Sequence, residues 1–194
     1  FRSETGKKAT VALSATKDVQ DAILNDTQRA KLVDIIDIRY WHYKVDGLYA
    51  PEGGKNLAPR QHARKMKVGK VTFDEAYRAV SEYRKKFPEK AVTYYAQNYP
   101  DMAWAVFMAS GSCPVVPVAD ESFLTDAAAM DMEDTGTNKY QKLVKSGIGS
   151  IIYSHSATDI PVHLSPGKYI LKSVDPKTGA ITVIAKRLNI KEDR

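Results

Sequence analysis

The chain has 194 residues, 43% hydrophobic and 27% charged, with 11 Gly, 9 Pro and a net charge of +6. These proportions fit a globular chain and exclude disorder, collagen and low-complexity repeats. At roughly 150 residues per domain the length fits one domain with a small appendage, and it falls short of the ~250 residues of a complete eightfold α/β barrel.

Residues 9–15 read as a short buried strand. Thr16 or Asp18 starts a helix whose apolar face carries Val19, Ala22, Ile23 and Leu24. Asn25, Asp26 and Thr27 read as a turn. Residues 33–43 (VDIIDIRYWHY) read as a second strand, with Ile36, Ile38 and Tyr40 on one face and Asp37, Arg39 and Trp41 on the other. The segment 44–70, with Asp46-Gly47, Gly53-Gly54 and two prolines, reads as a long loop, and loops of that length are functional or disordered.

Thr72-Phe73-Asp74-Glu75 matches a helix-capping box, and Phe73, Ala76, Tyr77, Val80 and Phe87 line one face of the helix it opens. Pro88 stops it. Residues 91–96 read as a third strand, and Asn98, Pro100 and Asp101 open an apolar helix closed by Gly111. The alternation is that of parallel α/β units. Beyond Pro117, residues 122–130 read as a helix and 138–145 as another turn or two. Residues 149–154, 160–164, 168–174 and 180–190 read as antiparallel strands, the last two joined by a turn at Asp175–Gly179.

The uncharged run 102–119 approaches the length of a membrane span, but Gly111, Pro114 and Pro117 break it, so it reads as a buried helix and an extended apolar segment. The single cysteine, Cys113, excludes an internal disulfide and reads as a buried apolar residue. The four histidines lack ligand spacing, so neither a metal nor another cofactor is expected. Charge is polarised. Residues 55–90 hold eleven basic and four acidic residues, while 119–134 hold six acidic and no basic ones. A basic face can attract a polyanion, whereas the plainer reading is a solvated helix face with its flanking loop. No nucleic-acid motif accompanies it, and no nucleic-acid partner is expected.

The segments LSATKDVQDAIL, VDIIDIRYWHY, DGLYAPEGGKNLAPRQHARK and FDEAYRAVSEYRKKFPEKAVTYYAQNYP, in this order, resemble the C-terminal part of exported bacterial (β/α)8-barrel proteins of polysaccharide degradation. SIIYSHS and SVDPKTGAITV resemble the small β-sandwich, of collagen-binding type, that follows such barrels. The group is the apiosidase-like glycoside hydrolases. The resemblance implies an α/β fold: a partial (β/α) barrel over 1–118, a connecting helical segment over 119–148 and a small antiparallel β domain over 149–194. It implies a secreted, periplasmic or cell-surface protein acting on a polysaccharide or oligosaccharide, an anionic one if the basic segment takes part. With Phe1 rather than Met at its start, the chain reads as a mature or truncated piece, whose remaining barrel strands come from upstream or from a second copy.

Barrel sites form at the C-terminal ends of strands and in the loops after them. Glycoside hydrolysis needs two carboxylates, and Asp37 and Glu52 are the candidates. Arg39, Trp41, His42 and Tyr43 after the second strand, Asn56, Arg60 and His62 in the long loop, and Tyr95 and Gln97 after the third strand are candidate sugar-binding residues. Aromatic faces stack on sugar rings, and Arg, His and amides direct hydrogen bonds. The plainer alternative makes Asp37 and Arg39 a structural ion pair and Trp41 a core residue. A non-catalytic carbohydrate- or polyanion-binding protein of related fold is the competing function.

Overall fold

The computed structural model describes residues 9–47, 49–50, 71–95, 100–154, 156 and 159–191. The chain divides into two units, Phe1–Val115 and Val116–Arg194. Its architecture is mixed α/β, with one parallel sheet in the first unit and antiparallel sheets in both.

In the first unit, β1 (Ala12–Ser14), β2 (Ile35–Ile38) and β5 (Ala91–Tyr94) form a parallel sheet in that order. Helix α1 (Lys17–Asn25) and the short α2 (Thr27–Ala30) carry the chain from β1 to β2. Asp26 caps α2, accepting from the backbone N–H of Gln28 and of Arg29, each at 3.0 Å. After β2 come β3 (His42–Tyr43) and β4 (Tyr49–Ala50), an antiparallel pair. Helix α3 (Phe73–Lys86) returns the chain to β5, and α4 (Pro100–Met108) follows.

The box at the start of α3 closes in both directions. The Thr72 N–H donates to Glu75 Oε2 at 2.7 Å, and the Glu75 N–H donates to Thr72 Oγ1 at 3.3 Å. Two donors that would otherwise lack partners are thereby satisfied.

The strands alternate. Ile36, Ile38 and Val92 are fully buried and pack under α3 with Ala76, Val80 and Tyr83. On the opposite face Ala12 and Ser14 are exposed, and Ile35, Ala91 and Thr93 are half-buried. Right-handed crossovers between sequential neighbours put both helices on one side of a parallel sheet. Here α1 and α3 touch through Lys17–Glu82 and Asp21–Tyr83, which leaves the other face uncovered by them.

Two expectations for this unit are corrected. The segment 33–43 is two strands, because β2 ends where its neighbours end: its last pairing is Ile38 with Tyr94, and β1 reaches only Asp37. Cys113 is exposed, in a loop after α4 where Ser110 (φ 51°) and Cys113 itself (φ 55°) turn through the left-handed region. That turn brings Ser112 back to β5, where its N–H donates to the Val92 carbonyl at 2.7 Å.

The second unit contains α5 (Glu121–Ala128), a meander of β6 (Asp131–Glu133), β7 (Tyr140–Lys145) and β8 (Gly149–Ser154), and a hairpin of β9 (Gly167–Val174) with β10 (Ile181–Ile190). The expected helical turns at 138–145 are strand β7. Gly147 (φ 80°) and Gly149 (φ 145°) fold it back on β8 in a conformation that side-chain-bearing residues rarely adopt. Residues 160–164 are not a strand; Pro161 has no N–H to give to a ladder. The turn at Asp175–Gly179 is as expected, with Gly179 at φ 72° and its N–H donating to the Asp175 carbonyl at 2.8 Å. Among the described residues no helix is long and apolar enough to cross a membrane.

Candidate functional site

Parallel register places Ser14, Asp37 and Thr93 side by side on the sheet face away from the helices, at the C-terminal edge. Asp37, on the central strand, gathers the row. Ser14 Oγ donates to its Oδ2, and Thr93 Oγ1 donates to its Oδ1 at 2.9 Å. Arg39, the first residue past the end of β2, donates from Nε to Asp37 Oδ2 at 2.9 Å. The Arg39 guanidinium lies 5.3 Å from the centre of the Tyr95 ring. The Asp37 side chain is 11% exposed and that of Arg39 48%. The result is a buried carboxylate with three donors, holding a half-exposed guanidinium against an aromatic face.

A second polar cluster occupies the helix side. Trp41 is fully buried, and its indole N–H donates to Gln20 Oε1 at 2.7 Å. Gln20 in turn donates from Nε2 to the carbonyls of Leu13 (2.8 Å) and Asp37 (2.9 Å). One amide from α1 thus ties the ends of β1 and β2 to the indole. Lys17 bonds Asp21 and Glu82, each at 2.8 Å, and sits 5.3 Å from the Trp41 ring and 5.2 Å from the Tyr83 ring. The Tyr43 hydroxyl donates to Glu82, the Tyr83 hydroxyl donates to Asp21 at 2.9 Å, and the Arg78 guanidinium covers the Tyr43 ring at 4.0 Å.

Protonation follows from this packing. Burial pulls the Lys17 ammonium down, but its hydrogen bonds to Asp21 and Glu82 outweigh that and hold it above its ordinary value. Burial, with the bond to Glu82, pushes the Tyr43 hydroxyl up to about 12. Burial and the Asp21 carboxylate push Tyr83 upward as well.

The candidate residues therefore separate. Asp37, Arg39 and Tyr95 come together at the strand tips. Trp41 and Tyr43 do not join them. Beyond Ile38 the backbone leaves the sheet, the period-two alternation ends, and both rings pack on the helix side under α1 and α3. The expectation that Trp41 shares a face with Asp37 and Arg39 is corrected accordingly. His42 is half-buried on β3. Glu52, Asn56, Arg60, His62 and Gln97 lie outside the described residues.

Ser14 and Thr93, absent from the sequence-based selection, complete the Asp37 environment. Their only signal is a hydroxyl in register with an acid, which emerges once the strands are aligned. Several basic residues of α3 and its surroundings are engaged within the fold. Arg78 covers Tyr43, Arg84 donates to the carbonyls of Pro88 (3.1 Å) and Lys90 (2.7 Å), Lys86 donates to Asn25, and Lys90 donates to the carbonyls of Ala30 and Val33. Among the described residues no group of His, Cys, Asp and Glu side chains converges as a metal would require.

Residues 1–130 match the family model described as a domain of unknown function, DUF6298. No curated protein and no solved structure matches.

Proposed function

This chain belongs to the DUF6298 family, and on the resemblance of its segments we propose that it is part of an exported carbohydrate-active barrel protein, a glycoside hydrolase of the apiosidase-like kind. One observation carries the reading. Three adjacent parallel strands end in a row of polar side chains, Ser14, Asp37 and Thr93, with Arg39 and Tyr95 beside it, on the face the helices leave open. Parallel strands in which sequential neighbours pair, with helices on one side, are the repeating unit of a (β/α) barrel, and the open face is then the barrel interior. Ligand sites of such sheets lie outside the carboxyl ends of the strands. In this reading Tyr95 offers an apolar ring to a sugar, and Arg39 directs hydrogen bonds to its hydroxyls.

A second reading is a binding protein of the same fold without hydrolysis. Both Asp37 oxygens already accept hydrogen bonds, from Ser14, Thr93 and Arg39. The carboxylate is thereby engaged as an acceptor within the fold, which favours a positioning role over a chemical one.

Incubating the full-length protein with a panel of plant and host polysaccharides tests both. Release of reducing ends, abolished by Asp37→Asn or Glu52→Gln, is the result expected of the enzyme. Binding without release assigns the second reading, and neither binding nor release removes both.

A further inference from the structure

Arg39 differs from the other engaged cations of its unit. Lys17 is enclosed between two carboxylates and two rings, and Arg84, Lys86 and Lys90 give their donors to backbone carbonyls or to Asn25. Arg39 is anchored through Nε alone, to a carboxylate that is itself fixed by two hydroxyls. Its guanidinium carbon sits over the Tyr95 ring, 5.3 Å from the centre, and its side chain is half exposed. The two terminal amino groups have no partner among the described residues. A guanidinium held at one nitrogen and over one ring, with its outer edge uncommitted among the described residues, presents two parallel N–H donors at a fixed place. That edge matches the two oxygens of a carboxylate. Because Asp37 and Tyr95 hold the group in advance, little side-chain entropy is lost when a ligand arrives.

We propose that Arg39 is the specificity-determining residue of the strand-tip site and that it recognises the carboxylate of a uronic acid in the bound glycan. Asp37 is then its positioning residue. The inference rests on the glycan-binding reading above and adds the substrate class. It assigns the preference for acid to one residue, whereas Arg78, Arg84 and Lys86 of α3 serve the fold.

The test uses full-length protein and polyuronates (polygalacturonate, alginate, glucuronoxylan), each paired with its carboxyl-reduced form, which keeps the backbone and removes the charge. Binding is measured by calorimetry at fixed ionic strength. The wild type should prefer at least one acid over its reduced form by about tenfold or more, the scale of a charge-assisted pair of hydrogen bonds. Arg39→Gln should remove most of that preference. Arg39→Lys, which keeps the charge but not the fork, should retain only part of it. An unchanged preference in Arg39→Gln, a full preference in Arg39→Lys, or stronger binding of a sulfated glycan of equal charge density overturns the assignment. Reduced glycans bound as tightly as the acids overturn it too, and leave the glycan-binding reading standing. If no polymer binds in either form, both fall.

Discussion

Two polar clusters share the segment 37–43 and differ in what their polar atoms are free to do. On the helix side, Lys17, Gln20, Trp41, Tyr43 and Glu82 bond one another within a buried interface. At the strand tips, Asp37 is equally well bonded, yet it serves to aim a half-exposed Arg39 outward. The first cluster holds α1, α3 and β3 together, and the second presents donors. Density of polar and aromatic residues after a strand therefore does not identify a site by itself. What separates the two clusters is that the terminal amino groups of Arg39 have no partner among the described residues.

Substitutions can break this contrast. The largest effect is expected for Trp41→Ala, which empties a fully buried indole site and strands the Gln20 amide. It should cost ~3–5 kcal/mol in urea unfolding. A loss below ~1 kcal/mol would mean that the ring is not part of the core.

Lys17→Met comes next. It leaves Asp21 and Glu82 without their ammonium, but those side chains are 32% and 38% exposed, so water softens the loss. About 1–2 kcal/mol is expected, below the ~3–5 of a fully buried broken pair. An unchanged urea midpoint would remove the cluster's claim to hold the helices.

Alkaline pH sharpens the same point. Tyr43 and Lys17 both bind their protons more tightly in the folded chain than in the unfolded one. Their contribution is present below the unfolded values, near 10, and is lost as pH rises towards the folded value of about 12 for Tyr43. Stability should fall across that window, and Tyr43→Phe should flatten part of the fall. An equally steep fall in Tyr43→Phe would place the titrating group elsewhere.

The smallest effect on stability belongs to Arg39→Gln. Its own side chain is half exposed, and the buried Asp37 carboxylate keeps the Ser14 and Thr93 hydroxyls as donors, so the change should stay within ~1 kcal/mol. A loss comparable to that of Lys17→Met would make the pair a structural one.

What was legible in the sequence was local. The box at Thr72, the helix stop at Pro88 and the turn at Gly179 each depend on a few consecutive residues, and each formed as read. The parallel order of three strands was also readable, because apolar runs separated by helices have few other ways to pair. The failures had non-local causes. The length of β2 is limited by β1 and β5, so the alternation that projected Trp41 beside Asp37 was carried past the end of the strand. Residues 138–145 suit a helix or a strand until Gly147 and Gly149 fold them onto β8. Ser14 and Thr93 lie far from Asp37 in sequence, and only register unites them. The Asp37–Arg39 pair was visible at spacing two, but its outward aim depends on Tyr95, which follows another strand.

The most direct measurement is a map of backbone and indole NMR shifts in the full-length protein as a glycan identified by the binding panel is added. The account predicts that perturbations centre on Ser14, Asp37, Arg39, Thr93 and Tyr95 and leave the Trp41 indole proton in place. Perturbations led by the Trp41 indole, or confined to residues 116–191 with the strand tips silent, would contradict it.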